Sequence, residues 1–306
     1  MDKTLRAEAQ RKLPLLIEAF CPILYEDDDI FLKNMEGRNL AGDDIRLYQH
    51  WEWTQGVGIY GLWKLFSRTK EQRYLDILVR YYEKQLSIGF PALNVNTMAP
   101  FLTMSYVGEH LGSERYLAPC REAEYQFRLH ARYLADPETG LWYHGWTFNG
   151  CHNFAGAFWG RGNCWVTIAI PEFLETVEVE PETRAFLKTV LEAQVRSLLK
   201  HQSSNGMWHT LIDDPTSYEE SSATCGFAYG ILRGVRTGLL DKGFEDAAIR
   251  AVEPILGHIA PDGVVHQVSY GTPMGRETKD FYKNIELRPM PYGQALAMLL
   301  LSEYLQ

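Results

Sequence analysis

The stretch SNGMWHT at 204–210 has two counterparts in the chain, ETGLWYH at 138–144 and PDGVVHQ at 261–267. Each follows a stretch with helical periodicity. Each has a turn glycine and then a short apolar run that carries or ends at a histidine. The glycines of successive copies are 66 and 57 residues apart, and each interval has room for two helices. Repeats of this length indicate a closed or stacked array of helical hairpins.

Helical periodicity dominates the rest of the chain. Apolar residues at 59, 62, 63 and 66 follow the i, i+3, i+4, i+7 spacing of one helix face, and the stretch 243–259 continues that spacing over four turns. The chain has no linker-like or low-complexity stretch, so we predict one all-α domain over residues 1–306. The spacing predicts ten helices, and hence five hairpins, near residues 5–20, 51–66, 71–87, 96–111, 114–134, 161–178, 183–201, 219–238, 243–259 and 290–304.

Composition argues against several functional classes. The net charge of −9 disfavours a nucleic-acid or anionic-membrane partner. The five cysteines are scattered and form no CxxC pair, so the sequence predicts neither a disulfide framework nor a metal site. No apolar run approaches membrane-spanning length and the start of the chain lacks a signal-peptide pattern, which predicts a cytoplasmic protein. Motifs of nucleotide-binding proteins, zinc proteases and serine hydrolases are absent from the sequence, which disfavours those three classes.

The stretch LWYHGWTFNGCHNFAGAFWGRGNCW at 141–165 is the main candidate for a ligand site. It holds four Trp, two His, three Asn and one Arg, but no Asp or Glu. Indole faces stack on flat or sugar-like ligands, and the polar groups fix their orientation. A toroid of hairpins places such loops at the rim of a central cavity. The candidate binding or catalytic residues of this stretch are His144, Trp146, Trp159, Arg161 and Trp165.

Two other helix starts add candidates. In WEW, Trp51 and Trp53 form a potential second stacking platform, and Glu52 is a candidate general acid, although adjacent helix residues diverge by about 100°. In LNVNTMAPFL at 93–102, Asn96 is either a helix cap or a hydrogen-bonding partner of a ligand.

The last two inner-helix starts carry polar residues as well. SYEESSATCGFAYG at 217–230 places Glu219 and Glu220 at a helix start, where an acid favours the helix dipole and Glu220 is also a candidate acid. PYGQAL at 291–296 places Tyr292 and Gln294 near the start of the last helix, and Gln294 is a candidate ligand-binding residue.

Several stretches together resemble glycoside hydrolase family 105. They are GLWYHGWTF, HNFAGAFWGRGNCWVTIAIPEFLE, the SYEESSAT…AYGIL segment and the closing YGQAL. That family contains unsaturated rhamnogalacturonyl hydrolases and is related to the unsaturated glucuronyl hydrolases of family 88. The resemblance implies an (α/α)6 barrel, a role in pectin degradation and no cofactor. It implies hydrolysis of Δ4,5-unsaturated uronic acids at the ends of small acidic oligosaccharides.

The resemblance also implies roles for particular residues. His144, Trp159, Arg161 and Trp165 fall on the family's pocket motif, and Trp53 falls on its aromatic position near the first inner helix. The implied reaction is vinyl-ether hydration, in which an Asp protonates C4, an activated water attacks C5, and the resulting hemiketal opens to release the aglycone.

The chain departs from the family at the segment that carries this Asp. The family's WxDT- or WDDTLFM-like segment is missing, and no Asp-Thr dipeptide occurs in the sequence. YLAPCREA at 116–123 runs directly into EYQFRLHARYLADPETG at 124–140, whereas the family has a hairpin between these pieces. The departure agrees with the five hairpins predicted from periodicity.

Three functions follow as alternatives. The first is an active hydrolase of this class in which Glu52 or Glu220 replaces the missing acid. The second is a saccharide-binding remnant or deletion variant without activity. The third is a different helical-toroid sugar enzyme, such as an epimerase, whose histidine pairs transfer protons.

A toroid that lacks one hairpin exposes apolar flanks, which favours self-association into a homo-oligomer. We therefore expect a molar mass above that of one 306-residue chain in light scattering at micromolar concentration. A monodisperse monomer over the whole concentration range would contradict this expectation.

Overall fold

Helices form the frame of this molecule. The computed structural model describes residues 3–26, 37, 44–91, 97, 99–120, 130–176, 179–271 and 274–306. Short helical turns and isolated β-bridges connect the longer elements. The helices labelled here are α1 Lys3–Phe20, α2 Trp53–Thr69, α3 Gln72–Ile88, α4 Ala99–Leu111, α5 Gly160–Thr176, α6 Pro181–Lys200, α7 Ser221–Arg236, α8 Glu245–Arg250, α9 Val252–Gly257 and α10 Pro291–Tyr304.

The predicted all-α class is confirmed, with two local differences. The predicted helix 243–259 is divided at Ala251 into α8 and α9. Pro254 explains the break, because proline has no N–H to donate to the carbonyl of Arg250 and its ring crowds that carbonyl. The predicted helix 114–134 is helical at Glu114–Leu117 and again at 130–134, and residues 121–129 lie outside the described part of the chain.

Five of these helices, α2, α4, α5, α7 and α10, line the centre and run in the same direction. The first turns of α2 and α10 meet where Trp53 stacks on Tyr292. The last turns of the same two helices meet where Arg68 donates to the carbonyl of Ser302 at 2.7 Å. Nearly every residue of α7 and α10 is buried, as expected for helices surrounded on all sides. The N-terminal ends of the five inner helices therefore converge at one end of the molecule.

Packing around this inner set is uneven. Neighbouring inner helices make extensive contacts in the pairs α2–α4, α2–α10, α7–α10 and α5–α7. Between α4 and α5 the described residues make sparse contact, and a hydrogen bond between the hydroxyls of Tyr106 and Thr176 links their C-terminal halves. The inner set is thus least tightly closed between α4 and α5.

The three repeated turns have one common geometry. Gly140, Gly206 and Gly263 have φ of +77°, +94° and +86°, which glycine adopts without a steric penalty. A Cβ on each would lie within 3 Å of backbone atoms of the outer helices α6, α8 and α1, respectively. Each turn is therefore seated on the outer helix of another hairpin, which explains why the sequence repeats glycine at these positions.

A polar side chain from the next inner helix holds each of these turns. The backbone N–H two residues after the glycine donates to that side chain in all three copies. The donor–acceptor pairs are Trp142 to Asn163 at 2.7 Å, Trp208 to Thr224 at 3.0 Å and Val265 to Gln294 at 2.5 Å. We call these contacts the turn anchors. They fix the loop ends against the first turns of α5, α7 and α10.

The opposite end of the inner set holds a network of charged side chains. Lys64 Nζ lies 2.9 Å from Glu172 Oε2, and Arg233 Nε lies 3.3 Å from Glu172 Oε1. Arg236 Nη1 lies 2.9 Å from Glu303 Oε1. Burial lowers the pKa of Lys64 to about 7 and raises the pKa of Glu172 to about 7. Helices α2, α5, α7 and α10 are therefore linked by charges that are largely removed from water.

No helix in the described part of the chain is long and apolar enough to cross a membrane.

Replacing Lys64 by Met should destabilise the fold by about 3–5 kcal/mol, because the buried Glu172 carboxylate loses a partner. Arg11→Met is the control, since Arg11 pairs with Glu8 at the surface and should contribute about 0–1 kcal/mol. Urea unfolding of both variants measures the difference. Equal midpoints for the two variants would show that the network contributes nothing to stability.

Candidate functional site

The candidate site lies where the N-terminal ends of the inner helices converge. Trp53 begins α2, Arg161 is the second residue of α5, Glu220 is the N-cap of α7, and Tyr292 is the second residue of α10. These residues are far apart in sequence. Parallel inner helices bring them together, because each occupies the first turn of its own helix.

Aromatic rings and one guanidinium form a continuous row across this end. The row passes through Trp165, Trp53, Tyr292, Arg161, Trp159 and His144. The ring centroids of Trp165 and Trp53 are 5.0 Å apart, and those of Trp53 and Tyr292 are 4.8 Å apart. Most of the aromatic candidates of the 141–165 stretch therefore share one site with Trp53.

Arg161 lies between two aromatic faces at the centre of the row. Its guanidinium carbon is 4.6 Å from the Trp159 ring and 4.2 Å from the Tyr292 ring, a cation–π arrangement on both sides. The side chain is fully buried, although it carries a permanent charge.

Both terminal nitrogens of Arg161 already donate to acceptors within the protein. Nη1 donates to Ser269 Oγ at 2.6 Å, to Ser222 Oγ at 3.2 Å and to Glu220 Oε1 at 3.4 Å, and Nη2 donates to the carbonyl of Gly271. A sugar carboxylate would have to replace some of these bonds to bind Arg161. In this structure Arg161 supports the ring row instead of presenting a free fork.

Glu220 has the role of a helix cap and counter-ion. Its Oε2 accepts from the backbone N–H of Ala223 at 2.6 Å, and its Oε1 accepts from the N–H of Ser269 at 2.9 Å. Ser222 Oγ donates to both oxygens. The side chain is 1% exposed. With its acceptor sites filled in this way, Glu220 is badly placed to give a proton to a ligand, and this argues against the prediction that it is a substitute acid.

His144 is held by a neighbouring phenol and an indole. Its Nδ1 is 2.6 Å from the hydroxyl oxygen of Tyr282, and its ring centroid is 4.3 Å from that of Trp159. Burial, and then the nearby positive charge of Arg161, lower the pKa of His144 to about 4. The imidazole is therefore neutral at physiological pH.

Glu52 differs from Glu220 in its surroundings. It is the N-cap of α2, and its Oε2 accepts from the backbone N–H of Trp53 at 3.3 Å. Burial raises the pKa of Glu52 to about 7, and this hydrogen bond offsets part of the rise. A carboxyl group with a pKa near the working pH can donate a proton in acid catalysis.

The structure places the remaining predicted residues in different surroundings. Trp51 is fully buried, stacks on Tyr81 and donates its indole N–H to the carbonyl of Thr97 at 3.0 Å, which gives it a packing role. Trp146 is half-buried, with its ring centroid 5.6 Å from that of Tyr133. Asn96 lies outside the described residues.

Gln294 also has a structural position. Its Oε1 accepts from the N–H of Val265, and its Nε2 donates to the carbonyl of Gly263 at 2.8 Å. Asn163 and Thr224 hold the equivalent turns, so Gln294 belongs to the turn anchors. These bonds occupy both ends of the amide, which argues against the predicted ligand-binding role.

Three residues at this site were not among the sequence-based candidates. Ser222 and Ser269 bind Arg161, and Tyr282 binds His144. Ser222 lies in the candidate stretch 217–230, and its position at a helix start is a signal that the sequence offers. Ser269 and Tyr282 lie in a segment without periodicity, and nothing in the sequence indicates their partners.

A cavity of about 290 Å³ is separate from this site. It lies near the far end of the inner helices and is lined by residues of α1, Leu65, Arg68 and Leu305. It contains none of the candidate residues. Among the described residues, no group of three His, Cys, Asp or Glu side chains is placed to hold a metal ion.

Comparison with known proteins gives consistent matches. The family model described as Glycosyl Hydrolase Family 88 matches residues 29–124 and 118–306. The unsaturated rhamnogalacturonyl hydrolase YesR of Bacillus subtilis is 25% identical over 315 residues, which covers 84% of this chain and 90% of the relative.

Two solved structures agree with these sequence matches. The crystal structure of a possible member of the GH105 family from Klebsiella pneumoniae has a TM-score of 0.86 and 36% identity, and the match covers 100% of this chain and 94% of that one. A possible GH105 member from Salmonella enterica has a TM-score of 0.82 and 35% identity, with 98% and 94% covered.

The two glutamates should respond differently to amidation. Glu220→Gln leaves the buried Arg161 without a counter-ion and should cost about 3–5 kcal/mol in urea unfolding.

The raised pKa of Glu52 makes its contribution to stability depend on pH. Glu52 binds its proton more tightly in the folded state than at its ordinary pKa of 4.5, so this contribution falls as pH rises from about 4.5 to 7. Relative to wild type, Glu52→Gln should gain stability between pH 5 and pH 8. If Glu52→Gln instead lost stability relative to wild type as the pH rises, the raised pKa of Glu52 would be contradicted.

Proposed function

This chain belongs to Glycosyl Hydrolase Family 88, and on that premise we propose that its site hydrolyses saccharides that end in a Δ4,5-unsaturated uronic acid. The similarity to the Bacillus subtilis relative supports this substrate class, since that protein is an unsaturated rhamnogalacturonyl hydrolase. We further propose that the saccharides derive from pectin-type polysaccharides.

The electrostatics of the site suit an acidic sugar. The inner helices direct their N-terminal ends toward the site, and each such end carries a partial positive charge of about half a unit. Two of these ends are already capped by Glu52 and Glu220, and the others add to the attraction for an anion. The indoles of Trp53 and Trp165 supply apolar faces on which a sugar ring can stack.

Glu52 is the proton donor in this proposal. The observation that carries it is its position at the N-terminus of α2, next to Trp53 of the ring row, and its raised pKa agrees with the role. The Glu52 carboxyl transfers its proton to C4 of the unsaturated sugar. Water adds its oxygen to C5 and releases its second proton, which restores the acid. The product is a hemiketal, which opens and releases the remaining saccharide as the leaving alcohol. Each proton that the acid gives is replaced by one from the water, so the enzyme is regenerated.

The second candidate is saccharide binding without turnover, favoured by signs of a missing segment. The family model matches in two pieces that overlap at 118–124. The alignment with the Bacillus subtilis relative covers 315 residues, whereas 84% of this 306-residue chain is about 257, so about 58 positions lack a counterpart here. That length is close to the 57- and 66-residue repeat. We propose that one hairpin is missing between α4 and α5, where inner contacts are sparse.

Incubation with an unsaturated uronyl disaccharide separates the two candidates. Under the first proposal, the ultraviolet absorbance of the double bond disappears and the aglycone is released. Because Glu52 must be protonated to donate, kcat/KM should fall as pH rises above about 7. Binding in calorimetry without loss of absorbance would favour the second candidate, and isomerised sugar without cleavage would favour an epimerase.

Glu52→Gln should reduce kcat by about 100-fold or more, because an amide cannot donate the proton. Glu71→Gln is the matched control, since Glu71 is the N-cap of α3 and is exposed. Turnover by Glu52→Gln equal to that of the control would reject Glu52 as the acid.

A further inference from the structure

Tyr282 lies beside His144 in a small apolar cluster of its own. The cluster consists of Ala157, Trp159, Leu211 and Tyr282, and it is separate from the main core. Tyr282 belongs to the short helix Asp280–Lys283 and is 1% exposed. This segment before α10 therefore contributes a buried phenol to the site, although most of its neighbours in sequence are exposed.

Two ion pairs hold this short helix against the loop that follows Leu211. Lys279 Nζ lies 2.9 Å from Asp213 Oδ2, and Lys283 Nζ lies 2.6 Å from Asp214 Oδ2. The hydrogen bond from Lys283 holds the pKa of Asp214 well below its usual range. Both pairs are partly exposed, so their contribution is to orientation more than to stability. They tie the short helix that carries Tyr282 to the loop after Leu211.

The hydrogen bonds of the Tyr282 hydroxyl determine which atom accepts its proton. Its oxygen accepts from the backbone N–H of Gly275 at 3.1 Å and lies 2.6 Å from His144 Nδ1. Among the described residues, Nδ1 is the one acceptor placed for the phenol proton. Burial raises the pKa of Tyr282 to about 12, so this proton is present at neutral pH. The O–H therefore donates to Nδ1, and Nδ1 must be unprotonated.

We propose that Tyr282 is a positioning residue that fixes His144 in the tautomer with its proton on Nε2. In that state His144 presents an N–H donor to a bound saccharide and has no free basic nitrogen. The tautomer of a histidine is set by the partner of its other ring nitrogen. His144 then acts by donating to a hydroxyl or carboxylate oxygen of the sugar and not by removing a proton from water.

The surroundings of the other ring nitrogen agree with this role. Nε2 of His144 has no hydrogen-bond partner among the described residues. Gly162 lies near the adjacent ring edge, since a Cβ added there would be 3.8 Å from Cδ2 of His144. The absence of a side chain at Gly162 leaves space beside that edge. The identity of the oxygen that accepts from Nε2 rests on the proposed function, whereas the tautomer does not.

Nitrogen-15 NMR of the histidine side chains in the full chain tests the tautomer directly. His144 is assigned by comparison with His144→Gln. At pH 7 the wild-type signals should show Nε2 protonated and Nδ1 unprotonated. Tyr282→Phe keeps the ring in its cluster but removes the hydroxyl, so the population with Nδ1 protonated should increase. Tyr143→Phe is the control, because it removes a hydroxyl next to His144 in sequence that makes no bond to the imidazole.

Ligand binding gives the second measurement. Tyr282→Phe should weaken binding of an unsaturated uronyl disaccharide by about three- to tenfold, the usual effect of one hydrogen bond, and Tyr143→Phe should not. A wild-type His144 protonated on Nδ1, or a tautomer unchanged in Tyr282→Phe, would overturn the inference. Expected NMR signals together with no disaccharide binding by wild type would reject the proposed function and leave the role of Tyr282 intact.

Discussion

The turn anchors are the contacts on which the geometry of the site depends. In each, a backbone N–H two residues after a left-handed glycine donates to a polar side chain in the first turn of an inner helix. The glycine in turn lies against the backbone of an outer helix, with no room for a Cβ. Each loop is therefore held between an inner and an outer helix. Loops held in this way bring His144 and the first turns of α5, α7 and α10 to one end of the molecule.

The two ends of the inner helices differ in how they accommodate charge. At the far end, Lys64, Arg233 and Arg236 lie near helix C-termini and pair with glutamates, which complements the negative ends of the helix dipoles. At the site end, one guanidinium is enclosed by aromatic rings and carbonyl oxygens and balanced by Glu220. Buried charges are tolerated at both ends because each is paired with a group of opposite charge.

Glu52 and His144 show how the same kind of burial produces different chemistry. Removal from water disfavours the charged form of any group, so the pKa of Glu52 rises to about 7 and that of His144 falls to about 4. Both groups are consequently mostly neutral near pH 6, and each carries one proton that it can donate. A site of neutral donors beside positive helix ends is compatible with an acidic ligand.

The amino-acid sequence by itself determined the helical class, the repeating hairpins and their glycine turns, because these follow from local periodicity and backbone preference. It also indicated the stretch 141–165 as part of the candidate site, through its unusual density of Trp and His. Only the tertiary structure decided what the polar side chains contact. Arg161 finds Ser269 and Gly271 more than 100 residues away, and His144 finds Tyr282 138 residues away. Side-chain partners on different helices depend on the relative placement of those helices, which no local pattern records. For that reason Gln294, predicted to bind a ligand, is a turn anchor in the folded chain. Glu220, for which the sequence left open a role as an acid or at a helix start, is a helix cap.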